Sequence, residues 1–155
     1  MSIEKIYWDS DPFLGWLQNE AGKVDLCNGT LKRAQNGEVL IITSALTLAE
    51  CLWRRGGPKL AADKLLVLRK FFRRSHIRVV NVSRVIAEDA QDVVMNYSVR
   101  AKDAVHVATA IHHEIGILET FDDGLLAQSG KIGAPALTIR KPTRVPQGEL
   151  DFAKP

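Results

Sequence analysis

Apolar residues along this chain fall into short unbroken runs that alternate with longer amphipathic stretches. Ile3 to Trp8 is the first run, and Ile6-Tyr7-Trp8 reads as a strand buried on both faces. Val39 to Ile42, Ile77 to Val80, Ile117-Leu118 and Ala136 to Ile139 repeat the pattern. Between these runs the spacing turns helical. Asp11 followed by Pro12 predicts an N-cap and a first helical residue, with Phe13, Leu14, Trp16 and Leu17 on the apolar side. A second helix is predicted from Val24 to Gln35, ended by Asn36-Gly37. Thr43-Ser44 caps a helix from Ala45 to about Arg54. Gly56-Gly57-Pro58 breaks the chain and starts another, with Leu60, Leu65, Leu68 and Phe72 on one face. Ser83 caps a helix through about Tyr97, whose apolar members are Val85, Ile86, Val93, Val94 and Tyr97. Ala101 to His113 follows, with Ala104, Val105, Ala108 and Ile111 on a buried side and Gly116 ending it. A short helix near Gly124 to Gln128 completes the set.

Short apolar strands alternating with helices predict a parallel sheet covered on both faces. The expected fold class is therefore α/β: a three-layer α/β/α sandwich around a mostly parallel sheet of four to five short strands. Ligands of such folds bind beyond the carboxyl ends of the strands. Asp9 follows the first strand and Asp122 the fourth, so both enter one crevice if those strands are neighbours. Residues 1–140 read as one domain. From Lys141 the residues are polar with three prolines, and 141–155 read as a loose C-terminal tail.

Composition narrows the possibilities. A chain of 155 residues with 46% hydrophobic content suits one domain with a real core and excludes a disordered chain. The net charge of +3 permits a polyanionic substrate without demanding one. Cys27 and Cys51 have no metal-type spacing and read as reduced cytosolic thiols. Glu4, Asp9 and Asp11 interrupt any secretory leader, and the longest apolar run, Val39 to Trp53, contains Glu50 and is too short to span a bilayer. A cytoplasmic protein with no membrane partner is expected.

Nothing in the chain reads as a nucleophile elbow, a phosphate-cradling glycine loop or a cysteine cluster. What remains is carboxylates: Asp9, Glu50, Asp103 and Asp122 each sit where a strand ends or a helix faces it. Carboxylates that converge repel one another, and a divalent cation is the usual neutraliser. Glu50 lies among Leu46, Leu48, Ala49 and Leu52, where a charge is costly unless paired. Asp103 falls in a helix's first turn, which favours an anion. Asp11 reads as an N-cap or a metal contact, and Asp123 as a solvated charge. Ser10 and Thr120 are placed to hydrogen-bond the carboxylates. His106 reads as a buried, hydrogen-bonded histidine one turn beyond Asp103. His112-His113-Glu114 lacks the i,i+4 pair of a zinc site and reads as a helix end. Arg69, Lys70, Arg73 and Arg74 complement a helix dipole. Arg54, Arg55 and Lys59 are the candidates for backbone-phosphate contacts. Trp8, Trp16 and Trp53 are expected in the core.

Four segments together resemble a PIN domain, the small nuclease fold of VapC-type toxins. They are Ile6-Tyr7-Trp8-Asp9-Ser10-Asp11, Thr43-Ser44-Ala45-Leu46-Thr47-Leu48-Ala49-Glu50, Ala101-Lys102-Asp103-Ala104-Val105-His106-Val107-Ala108-Thr109-Ala110 and Leu118-Glu119-Thr120-Phe121-Asp122. Their order and separations fit the family as far as Ile139. The chain departs from the pattern at Asp11, which stands for the usual Asn or Ser before Pro12, and in the added Asp123. The resemblance implies Asp9, Glu50, Asp103 and Asp122 as the catalytic set binding Mg²⁺ or Mn²⁺. It also implies cleavage of single-stranded RNA, a cognate antitoxin as partner, and a homodimer. Two other readings stand beside it. Asp9-Ser10-Asp11 is also similar to the start of a haloacid-dehalogenase-type phosphatase, with Asp9 as nucleophile and Asp122-Asp123 as a late acidic pair. A non-catalytic PIN-like binding domain is the third.

Overall fold

The computed structural model describes residues 3–53 and 56–144. Five strands form one sheet, every pair parallel, in the order β3-β2-β1-β4-β5, where β1 is Glu4–Trp8, β2 Val39–Ser44, β3 Ile77–Val80, β4 Ile117–Glu119 and β5 Thr138–Arg140. The helices are α1 (Ser10–Leu17), α2 (Val24–Gln35), α3 (Ala45–Glu50), α4 (Leu65–Phe71), α5 (Arg84–Asn96), α6 (Ala101–His112) and α7 (Asp123–Leu126). The expected three-layer architecture is the one observed.

The strand residues explain the layering. Successive side chains of a strand point to opposite faces. On β1, Ile6 and Trp8 enter one core with Phe13, Cys27, Leu31, Phe71 and Phe72, while Tyr7 enters the other with Ile86, Ala90, Val93, Ala104 and Val107. Both faces are apolar and both are covered, as a parallel sheet requires. The first layer is α1, α2 and α4; the second is α5 and α6 with α7.

Chain order explains the site's location. From β1 the chain steps outward to β2 and β3, then returns so that β4 pairs with the other side of β1. The direction of winding reverses between β1 and β4, and ligands of parallel sheets settle beyond such a switch point. Asp9 and Thr120 are the residues immediately after these two strands.

Local differences from the sequence reading have identifiable causes. The N-cap of α1 is Asp9 rather than Asp11: its Oδ1 accepts from the Asp11 N–H at 3.2 Å, and the helix begins at Ser10. Pro12 is tolerated at the third helical position because first-turn N–H groups have no intrahelical acceptor. α3 stops at Glu50, short of Arg54. No continuous helix starts at Pro58. Lys59 instead bridges Trp53 antiparallel and the Leu60 N–H donates to the Leu52 carbonyl at 2.7 Å, so this backbone is committed to pairing; a 3₁₀ turn at Ala62–Lys64 then leads into α4. Leu60 consequently leaves the core, and Trp53 is 59% exposed rather than buried. On α5 the buried stripe is Ile86, Ala90 and Val93, spaced four and three apart, which leaves Val85 and Val94 facing out. Lys141 to Arg144, read as the start of a loose tail, lie along α2. Gly29 permits this approach: a Cβ there would collide with the Thr143 carbonyl oxygen and come within 2.7 Å of Arg144 Cα. The rest of the tail, 145–155, lies outside the described residues.

One buried charge fastens the sheet. Glu119 ends β4 and is 0% exposed. Its Oε1 accepts from Trp8 Nε1 at 2.8 Å and Thr30 Oγ1 at 2.7 Å, and its Oε2 accepts from Arg140 Nε at 3.3 Å. β1, α2 and β5 are thereby tied to β4. A buried carboxylate is acceptable only when its oxygens are so occupied. Replacing Glu119 by Ala strands the Trp8 and Thr30 donors and should destabilise the protein by about 3 kcal/mol or more. Glu119→Gln keeps an acceptor for both and should cost clearly less. Urea denaturation of the two variants checks the order, and equal losses would contradict it.

Candidate active site

Asp9 lies deepest. It is 3% exposed at the mouth of the switch point, with Oδ1 on the Asp11 N–H and Oδ2 accepting from Thr120 Oγ1 at 2.6 Å. Burial pushes its carboxyl well above the usual carboxylate range; the negative charges of Asp11 and Asp103 push it further, and the Thr120 hydroxyl pulls back. Among the described residues, no lysine or arginine lies within ion-pair distance of Asp9. Thr120 also accepts from the Asp122 N–H at 3.1 Å, so one hydroxyl joins the strand ends that carry Asp9 and Asp122.

Asp122 caps α7, its Oδ2 accepting from the Leu125 N–H at 2.9 Å. Its Oδ1 accepts from Arg100 Nη2 at 2.8 Å. The same guanidinium donates to Asp103 Oδ2 from Nε at 3.1 Å and from Nη2 at 3.0 Å. Asp103 sits in the first turn of α6. The two carboxylates in turn raise Arg100 further above its ordinary value. Glu50, the last residue of α3, places Oε1 2.7 Å from His106 Nε2 and Oε2 3.7 Å from Lys102 Nζ. Glu50 and Asp9 both act electrostatically on Tyr7 and on Cys51, so all four acids surround one end of the sheet.

The structure therefore brings Asp9, Asp103 and Asp122 into one linked cluster and adds Glu50 through α6. Among the described residues, no three His, Cys, Asp or Glu side chains are drawn close enough to enclose a metal ion. In kind, however, the donors suit a hard divalent cation, since they are all carboxylate oxygens. A positive group already bridges two of them, namely the Arg100 guanidinium, whose side chain is 66% exposed. By donor chemistry the residues that could hold Mg²⁺ or Mn²⁺ are Asp9, Asp103 and Asp122, with Glu50 beside them. Cysteine chemistry does not fit. Burial and the Glu119 charge push the Cys27 thiol up to about 12, and burial and Glu50 push Cys51 higher still, so both stay protonated.

Two polar clefts flank the cluster. One, of about 440 Å³, is lined by Asp11, Glu20, Lys23, Phe121, Asp122 and Gly124 among others. The other, of about 320 Å³, includes Val99, Arg100, Asp103, Asp122 and Gly124. Asp122 and Gly124 line both. The basic residues lining them are Lys23 and Arg100, neither of which was singled out from the sequence. Arg100 was legible in principle: a cation three residues before Asp103 at a helix start is an i,i+3 partner. Arg54 and Arg55 lie outside the described residues; the backbone of Lys59 bridges Trp53, and the residue is exposed. Thr120 binds the acids as expected. His112 and His113 form a helix end, with ring centroids 5.1 Å apart.

A profile of the PIN domain matches residues 9–131. The chain belongs to the PIN domain family. Comparison with curated protein sequences finds no match. Among solved structures, this PIN domain is similar to the toxin VapC20 of Mycobacterium tuberculosis, described as cleaving the sarcin–ricin loop, at 17% identity and a TM-score of 0.60, covering 79% of this chain and 93% of that one. A toxin–antitoxin complex from Klebsiella pneumoniae aligns at 19% identity and a TM-score of 0.61, over 90% of this chain and 99% of that one. FitAcB from Neisseria gonorrhoeae aligns at 18% identity and a TM-score of 0.56, over 88% and 97%. At these identities the likeness is one of fold.

Asp9 generates a pH prediction for the PIN domain free of metal. Its raised native value means that ionisation costs the folded state and not the unfolded chain. Below the unfolded value of about 3.9 both states are protonated and the cost is absent; it grows as pH climbs through the raised native value and is full above it. Asp9→Asn removes it. In chelator at neutral pH, Asp9→Asn should be more stable than wild type, with the difference shrinking toward pH ~4. Urea melts across that range check the sign, and a less stable variant at neutral pH would contradict it.

Proposed function

We propose that this PIN domain is a metal-dependent endoribonuclease that hydrolyses phosphodiester bonds of single-stranded RNA, and that it is the toxin of a toxin–antitoxin pair. One observation carries the reading. Carboxylates from the end of β1, α3, α6 and the end of β4 gather at the sheet's switch point, and among the described residues no lysine or arginine pairs with the deepest of them, Asp9. A protein that used these side chains only for stability would not keep a buried, repelled carboxylate there.

Bound among them, Mg²⁺ or Mn²⁺ supplies Lewis acidity, offsetting charge on the phosphate and making the attacking water more acidic. The chain's residues do the rest. Thr120 holds Asp9 and the Asp122 backbone in fixed relation. Asp103 and Asp122 present oxygens at the rim. Lys23 and Arg100 offer cations to the phosphates of a strand lying along the two clefts. Arg100 is exposed and flexible enough to leave the acids when a divalent cation or an RNA competes for them.

The phosphatase reading is the weaker one. It gives Asp9 and the Asp122–Asp123 pair a role but leaves Glu50 and Asp103, at the same end of the sheet, without one. The partner reading draws support from a neighbouring structure that is a toxin–antitoxin complex. An apolar groove of about 640 Å³ between α1 and α4, lined by Leu14, Trp16, Val67, Leu68 and Phe71, suits an amphipathic segment of such a partner. Homodimerisation belongs to the same proposal. Among the described residues no helix is long and apolar enough to cross a membrane.

The decisive assay is cleavage of unstructured RNA. Asp122→Asn should lower the rate by about 100-fold or more. Chelator should abolish cleavage and added Mn²⁺ restore it. Full activity in excess chelator would overturn the proposal, and Mn²⁺ binding without cleavage of any RNA would point to the non-catalytic reading.

A further inference from the structure

Glu50 has only a long ion pair to hold it from the solvent side. It ends a helix of six residues, carries a flexible side chain, and its cation Lys102 is 3.7 Å away with a side chain 73% exposed. Yet Oε1 is held at 2.7 Å by a ring that is itself immobile. His106 is 1% exposed on α6, one turn beyond Asp103. On its far side, Nδ1 lies 2.7 Å from the hydroxyl of Tyr7, which is 0% exposed on β1 two residues before Asp9. Tyr7, His106 and Glu50 thus form an unbroken chain from the central strand to the acid furthest from it.

The chemistry of the three groups sets the protons. A carboxylate only accepts, so Nε2 carries a hydrogen and donates it to Glu50. The Tyr7 hydroxyl closes the other side of the ring at Nδ1. No other hydrogen-bonding atom of the ring is left over. Hydrogen bonds of this outer kind orient the carboxylates that bind metals.

We propose that His106 is the positioning residue for Glu50: it clamps Oε1, fixes the side chain against α6, and leaves Oε2 as the oxygen available to a divalent cation, with Tyr7 anchoring the ring at its other nitrogen. This rests on the metal-dependent reading of the site. His106 does not touch substrate and takes no part in proton transfer.

Two isosteric substitutions separate the clamp from the space it fills. The amide nitrogen of His106→Gln falls near the position of Nε2 and can still donate to Glu50. That of His106→Asn falls near Nδ1, keeps company with Tyr7 and does not reach Glu50. Mn²⁺ is titrated calorimetrically into metal-free wild type and both variants, with thermal melts confirming that each is folded. His106→Asn should bind Mn²⁺ about 10-fold or more weakly, whereas His106→Gln should stay within about threefold of wild type. RNA cleavage by His106→Asn should recover as Mn²⁺ is raised, which a merely structural loss would not do. Equal affinities in wild type and His106→Asn, or equal losses in both variants, would overturn the proposal. If His106→Asn does not fold, Tyr7→Phe decides, because it removes the ring's second anchor: a loss of Mn²⁺ affinity supports the clamp and an unchanged affinity overturns it. A wild type that takes up no Mn²⁺ would instead refute the nuclease reading, and this inference with it.

Discussion

Repulsion between carboxylates at the end of β1 is the constraint around which this molecule is arranged. Asp9 is buried beside Asp11 and Asp103, and each of these makes its ionisation harder. Its compensations are weak ones: a threonine hydroxyl and a helix-start N–H. Such an arrangement costs stability, and it persists only where the surrounding fold fixes it. The surrounding fold does so through the parallel pairing of β1 with β4, which brings Thr120 against Asp9, and through α1, whose first turn Asp9 caps.

Stability is provided elsewhere. Two apolar layers cover the sheet, and the layer over α1 is cemented by rings, with Phe13 edge-on to Trp8 and Phe72 at centroid distances of 4.9 Å each. Glu119 shows how the same protein treats a carboxylate meant to stay put. It is as buried as Asp9 and sits next to Thr120, yet Trp8, Thr30 and Arg140 share its oxygens. The contrast between a saturated Glu119 and a frustrated Asp9, on adjacent strands, is the ground for proposing a site role for Asp9 and a structural one for Glu119. Arg100 is the intermediate case. It quiets Asp103 and Asp122 from the solvent side, where screening makes its hold easy to break.

Much of this was legible in the sequence. The parallel sheet followed from apolar runs such as Ile6-Tyr7-Trp8 alternating with helical spacing, and α2 occupies the residues its pattern marks. The acids were legible because a carboxylate directly after a buried strand has few structural excuses. What escaped was decided by contacts remote in sequence. Pro58 looked like a helix start until Lys59 and Leu60 paired back onto Trp53 and Leu52. Asp11 looked like the cap because a proline follows it, but the helix begins two residues earlier. Glu119 was invisible as a buried charge because its partners lie 111, 89 and 21 residues away. The link from His106 to Glu50, 56 residues apart, depends on how α6 crosses the sheet end and has no local signature.

The central claim is that these acids jointly hold a divalent cation. The most direct measurement is anomalous diffraction from crystals grown with Mn²⁺. The account predicts a manganese peak contacted by oxygens of Asp9 and Asp122, with the Arg100 guanidinium displaced from between Asp103 and Asp122. Saturating Mn²⁺ with no peak at that end of the sheet, and Arg100 still bridging the two aspartates, would contradict it.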